Sequence, residues 1–230
     1  MQLICRALIL SAVLSPAVLA SDCSRAVVEG QLNQSWLYDV SYQGMNTQAE
    51  RRLTQEGDVW HLQQAMSLLI VSLNEESRFR LNDNRLEPLS YLKEQKGLGA
   101  RYTRIEVDSS TSTVSAEHKG KTNSYSAELP LSDPLAHSLQ IQIDRQCDVN
   151  DVSLDYRLVG RSEVKSYNYV LEGQDRIPSP WGEVLAERWQ RNSGDVQDRL
   201  WLVPSQNFAL VRFEHVEKGE LSSMQLMRVQ

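Results

Sequence analysis

"WLYDVSY", Trp36–Tyr42, is the stretch on which the fold turns. Trp36, Tyr38, Val40 and Tyr42 fall on one face of an extended chain, and Leu37, Asp39 and Ser41 on the other. That period of two is the mark of a half-buried strand. The pattern recurs outward. "AERRLTQ" and "VWHLQQAM" flank Glu56-Gly57-Asp58, a hairpin turn. "SRFRL" runs into "NDN" at Asn82–Asn84, another turn. "RYTRIEVD" and "SYSAEL" bracket Ser109 to Asn123, which reads as a polar, flexible stretch. After Cys147 come "SLDYRLV", "VKSYNYVLEG", "GEVLAERWQ", "RLWLVP", "FALVRFEHV" and "LSSMQLMRV", each bounded by Gly, Pro, Asn or Asp. So many short strands predict a mainly β fold, a curved antiparallel sheet forming an open or half barrel.

Three stretches stand apart. "SLLIVSL", Ser67–Leu73, is apolar on both faces and predicts a strand covered on both sides. Around 133–146, Asp133 suits a cap, Pro134 the first helical position, and Leu135, Leu139 and Ile143 fall four apart. One short helix is expected there, although Leu139, Ile141 and Ile143 also alternate as a strand would. In "PSPWGEVLAERWQR", Pro178 and Pro180 remove two backbone donors and Gly182 permits a sharp turn, so a corner entering a strand accounts for those residues.

The N-terminus carries the compartment signal. Arg6 precedes "ALILSAVLSPAVLA", which ends in small residues with Val18 and Ala20 where a signal peptidase reads. This predicts a secretory signal peptide over 1–20, cleaved after Ala20, and a single domain over 21–230 in a bacterial periplasm. No later stretch is apolar for long enough to span a bilayer as a helix. Cys23 and Cys147 remain after cleavage, an even pair without C-x-x-C spacing. A structural disulfide is the expectation.

The net charge of the 230-residue chain is -6 and no block of Lys and Arg interrupts it. That argues against nucleic-acid binding and against docking on anionic lipid by charge alone. No H-E-x-x-H, G-x-S-x-G, phosphate loop or dinucleotide fingerprint occurs. The S-x-x-K pairs Ser90/Lys93 and Ser162/Lys165 fall in strand or turn segments, where a spacing of three puts the two side chains on opposite faces. None of His61, His118, His137 and His215 has a second His or Cys at ligand spacing. No catalytic residue, metal or cofactor is assigned.

The order of segments resembles a known family. "YDVSYQG", "RLEPLSY", "SDPLAHSLQIQIDRQ", "YNYVLEGQDRIPSPWGEVLAERWQR" and "DRLWLVPSQNFALVRFE" together look like the exported bacterial family catalogued as domain of unknown function 3108. Its "TP-x-G" corner is "SPWG" here, with Ser179 for Thr, while "WLVP" matches its Trp-x-x-Pro segment. The resemblance implies a periplasmic mainly-β domain with no established activity, similar in architecture to curved-sheet lipoprotein carriers.

Two functional classes follow. The first is a non-catalytic envelope module whose curved sheet binds a lipid or other apolar ligand, or an envelope protein partner. Trp36, Tyr38, Trp60, Leu68 and Ile70 are its ligand-binding candidates, although aromatics ordinarily fill sheet cores. In a structural variant of this class the helix covers the concave face. The second is a periplasmic hydrolase, with His61 or His215 as base beside a Ser and an Asp.

Overall fold

The computed structural model describes residues 16–42, 44–148 and 152–230. Most of the expected signal peptide, residues 1–15, lies outside the described residues. Helix α1 (Pro16–Glu29) crosses the expected cleavage junction at Ala20–Ser21. Then come β1 (Ser35–Tyr42), β2 (Met45–Glu56), β3 (Val59–Leu68), β4 (Val71–Asn82), β5 (Arg85–Gly97), β6 (Arg101–Asp108), β7 (Thr113–His118) and β8 (Lys121–Ser126). Helix α2 (His137–Cys147) follows, then β9 (Ser153–Val159), β10 (Val164–Ser179), β11 (Gly182–Ser193), β12 (Val196–Val203), β13 (Ala209–Glu217) and β14 (Glu220–Val229).

The strands form one antiparallel sheet in the order β8-β7-β6-β5-β4-β3-β2-β1-β14-β13-β12-β11-β10-β9. Two hairpin meanders are thus joined where β1 pairs with β14, for instance Trp36 with Val229 and Val40 with Met224. The barrel stays open between β8 and β9. Ser132 caps the free edge of β9 by accepting from Val159 N and donating to Arg157 O, both at 2.9 Å.

Helix α2 fills the concave face. Ile141 packs into a cluster with Tyr38, Tyr169, Trp189 and Leu226. Leu135, Leu139 and Ile143 pack into a second cluster with Trp60, Phe79, Ile105 and Val114. A helix buried all round must satisfy its polar groups internally. Gln140 accepts from Leu86 N (2.7 Å) and donates to Asn84 O (2.8 Å), and Ser138 Oγ accepts from Arg51 (3.2 Å). The expected cap is present one turn early: Asp133 Oδ1 accepts from the N–H groups of Leu135 and Ala136, both at 2.9 Å. Residues 134–136 form a turn, and the α-helix begins at His137. Among the described residues two α-helices, α1 and α2, and a short 3-10 turn at Pro204–Gln206 stand where one helix was expected. The Cys23–Cys147 disulfide ties α1 to the last residue of α2, with Cα atoms 5.9 Å apart.

Two expectations are corrected. "SLLIVSL" is the tip of the β3–β4 hairpin, with Leu69 and Ile70 as the turn. Leu69 is 100 % exposed and Ile70 68 %. The apolar run is not covered, because it reverses direction at its centre. The stretch from Ser109 to Asn123 holds β7 and the start of β8, and Val114 and Ala116 of β7 are buried in the second cluster. The corner holds as expected. Ser179 Oγ accepts from Trp181 N (3.1 Å) and donates to Gly182 O (2.8 Å), closing the turn from β10 into β11.

Candidate functional site

Turns alternate between the two ends of an antiparallel meander, and the ends differ here. One end is covered by α1: Ser24 Oγ donates to Asp83 O at 2.6 Å in the β4–β5 turn, and Leu32 bridges to Leu53. The other end carries turns 69–70, 98–100, 119–120 and 160–163, and no helix among the described residues covers it.

At this open end α2 leaves a cavity of about 680 Å³. One wall is β4–β7, with Leu73, Tyr91, Thr103, Ile105 and His118. The other is the β9–β10 hairpin, with Leu158, Val159 and Tyr167, and Pro134 also lines it. Alternation places Leu73, Tyr91, Thr103, Ile105, His118, Leu158 and Tyr167 inward, while Val159 ends β9 at the lip of the cavity. The mouth is strongly basic. Lys93, Arg101, Lys119, Arg161 and Lys165 line it, against one lining carboxylate, Glu163. Glu75 holds Lys93 at 3.2 Å. Arg101, Lys119 and Lys165 have no ion-pair partner among the described residues.

Below the mouth the polar groups are paired. Tyr91 donates to Glu75 (2.5 Å), and burial followed by the Glu75 charge pushes its phenol well above the usual range. Ser77 donates to Asp133 (2.5 Å). Burial raises the Asp133 carboxyl to about 6, against the opposing hydrogen bonds from Ser77, Ala136 and Leu135. His137 packs on Tyr169, 3.3 Å from its hydroxyl, and burial pushes its pKa down to about 4.

A second polar cluster crosses β11–β13. Arg191 donates twice to Asp198 Oδ2, at 2.8 and 2.6 Å, and its guanidinium lies 3.7 Å from the centre of the Tyr167 ring. His215 Nδ1 is 2.6 Å from Asp198 Oδ1. The register sets Asp198 opposite His215 and His215 opposite Ser222.

The residues singled out by sequence are dispersed. Trp36 and Tyr38 lie in the first core cluster and Trp60 in the second, all buried. Leu68 and Ile70 sit at the β3–β4 tip. His61 Nδ1 is 3.7 Å from Glu76, and its Nε2 is buried without a partner. The cavity cations were missed. They are isolated along the chain, and only the sheet brings them together. No helix among the described residues is long and apolar enough to cross a membrane. No group of three or more His, Cys, Asp or Glu among them is placed to hold a metal ion.

This architecture is that of an open β-barrel-like protein with its interior filled by a helix. It is similar to the crystal structure of a β-barrel-like protein of domain of unknown function DUF1849 from Brucella abortus. The TM-score is 0.55 at 7 % identity, over 86 % of this chain and 96 % of that one. At that identity the likeness is one of fold. No family model matches the chain, and no curated protein does.

Proposed function

We propose that the protein is a non-catalytic envelope module whose open-end cavity binds an amphipathic molecule with an anionic head. The carrying observation is the pairing of apolar wall side chains, Leu73, Ile105 and Leu158, with a mouth lined by five cations and one carboxylate, Lys93 among the cations being held by Glu75. Burial of the apolar part supplies roughly 25 cal/mol per Å², and the cations meet the head. Export to an oxidising compartment is part of the proposal, supported by the signal-like N-terminus and the Cys23–Cys147 bond. An intact mass beginning at Ser21 tests it.

A fluorescent fatty acid and its methyl ester separate head from tail. The acid should bind, and the ester should bind roughly tenfold more weakly or worse. The double variant Arg101→Glu, Lys165→Glu should lower affinity for the acid and leave that for the ester nearly unchanged. Equal affinities for acid and ester would remove the anionic head from the proposal. Native mass spectrometry of the protein before and after solvent extraction then looks for the natural ligand.

One observation favours a hydrolase as second reading: Asp198, His215 and Ser222 occupy successive positions across β12, β13 and β14. Asp198 orients the imidazole as a triad carboxylate does. The Nε2 atom, however, lies 3.9 Å from Glu217, and no serine hydrogen-bonds the ring among the described residues. Labelling by a fluorophosphonate probe, lost in Ser222→Ala, would install this reading. Absence of labelling in the native protein would remove it.

A further inference from the structure

The open end has an outer rim around the cavity mouth, and three large apolar side chains stand exposed on it. Leu69 is 100 % exposed, Ile70 68 % and Leu98 71 %. Leu69 and Ile70 form the β3–β4 turn and Leu98 the neighbouring β5–β6 turn. Large aliphatic side chains are rare at such turns, which favour Gly, Asn and Asp. Leu69 even holds a left-handed φ of +40°, a conformation that leucine rarely adopts. The two tips are held together. Leu98 N donates to Ile70 O at 3.4 Å. Gly97 permits that approach, because a Cβ there would sit 1.9 Å from the same carbonyl oxygen. Three aliphatic side chains are therefore presented together on paired strands.

Charge on the same rim selects the surface they meet. Lys96, Arg101, Lys119 and Lys121 lie at the ends of β5, β6, β7 and β8, next to these tips. Glu94 pairs with Lys96 at 3.0 Å, so Arg101, Lys119 and Lys121 are the cations of this side without an ion-pair partner among the described residues, and Glu117 accepts from the Tyr102 hydroxyl. The far side of the rim, around the β11–β12 and β13–β14 turns, carries Asp195, Glu217 and Glu220 against one cation, Lys218. The rim is thus apolar and basic on one side and acidic on the other. That is the pattern of a protein that sets aliphatic tips into the acyl boundary of a bilayer while its cations meet anionic head groups.

We propose that the β3–β4 and β5–β6 tips dock the protein on an anionic phospholipid bilayer. This goes beyond ligand binding in the cavity and stands without it. Docking would present the cavity mouth to the membrane surface.

The test is co-sedimentation with vesicles, every variant carrying the same N-terminus. The probes are vesicles of phosphatidylcholine alone and of phosphatidylcholine mixed with phosphatidylglycerol. The protein should bind the mixed vesicles and bind phosphatidylcholine alone roughly tenfold more weakly or worse. Leu69→Ser with Ile70→Ser should reduce binding to mixed vesicles by a similar factor. Leu185→Ser, at an exposed position outside the open-end tips, should leave it unchanged. Lys96→Glu with Lys121→Glu should remove the preference for mixed vesicles. Circular dichroism checks that each variant is folded. The proposal is overturned by absence of binding to mixed vesicles, by binding indifferent to the Leu69/Ile70 change, or by an equal loss from Leu185→Ser. A photo-crosslinker at position 70 that captures a protein in cells and no lipid would also overturn it.

Discussion

Arg145 of α2 and Glu187 of β11 meet in a two-point ion pair, Nε to Oε2 and Nη2 to Oε1, each at 3.1 Å. Their side chains are 3 % and 9 % exposed. Glu187 also accepts from Trp189 Nε1 at 2.9 Å, and the Arg145 guanidinium lies 5.0 Å from the Trp189 ring and 5.1 Å from that of Phe208. The pair pins the central helix to one wall. Removing one partner strands a buried charge, so Glu187→Ala should cost about 3–5 kcal/mol in urea unfolding. Replacing both, Arg145→Met with Glu187→Leu, should recover much of that loss. Equal losses in the single and double variants would mean the charge is not what makes the single change costly.

The disulfide should matter through the unfolded chain. It joins positions 124 apart in sequence. Loop-closure entropy for such a span contributes roughly 5 kcal/mol. Reduction, or Cys23→Ser with Cys147→Ser, should lower Tm by many degrees, and residues 23–30 should then exchange amide hydrogens faster. A Tm unchanged on reduction would deny the bond this role.

Asp133 and His137 should give opposite pH dependences of stability. The Asp133 carboxyl is raised to about 6 from 3.8 by burial. Between those values the folded state holds a proton that the unfolded state has lost, so stability falls as pH rises through that window. His137 is lowered to about 4 from 6.5 by burial. Between pH 4 and 6.5 the unfolded state holds the extra proton, so stability rises with pH. The two slopes largely offset in the native protein. Asp133→Asn should unmask a stability that rises from pH 4 to 6, and His137→Asn one that falls. Parallel profiles for both variants would contradict the assignment.

Gly97→Ala tests the join between the two tips. The φ of +88° and the approach to Ile70 O both exclude a Cβ. The variant should lose more than about 1 kcal/mol, with faster amide exchange at Leu98. An exchange rate unchanged at Leu98 would show that the tips are not coupled through this contact.

The sheet was largely legible because alternation is local: "WLYDVSY" carries its own evidence of a half-buried strand. The β3–β4 turn was not, because Leu69-Ile70 has none of the residues that mark a reversal, and a continuous apolar run looks the same whether it is covered or bent. β7 hid behind polar neighbours, since Val114 and Ala116 are its only inward-pointing apolar residues. Helix α1 lay under the stronger signal-peptide pattern, although Val27 and Val28 are buried against the sheet. The candidate site was illegible for a geometric reason. Lys93, Arg101, Lys119, Arg161 and Lys165 form no run, and they converge only when β5 to β7 face the β9–β10 hairpin across the opening. Absence of a basic block in sequence therefore does not mean absence of a basic surface.

The pairing of β1 with β14 sets an order of events. Within each meander every strand pairs with its neighbour in sequence, but Ser35–Tyr42 needs Glu220–Val229 before it has a partner on both sides. Until then two half-sheets hang from α2, and the Trp36 side of the seam is unpaired. A stop codon just before β14 would therefore remove the middle strand of the sheet rather than trim its edge. Such a nascent chain is the form most in need of a chaperone.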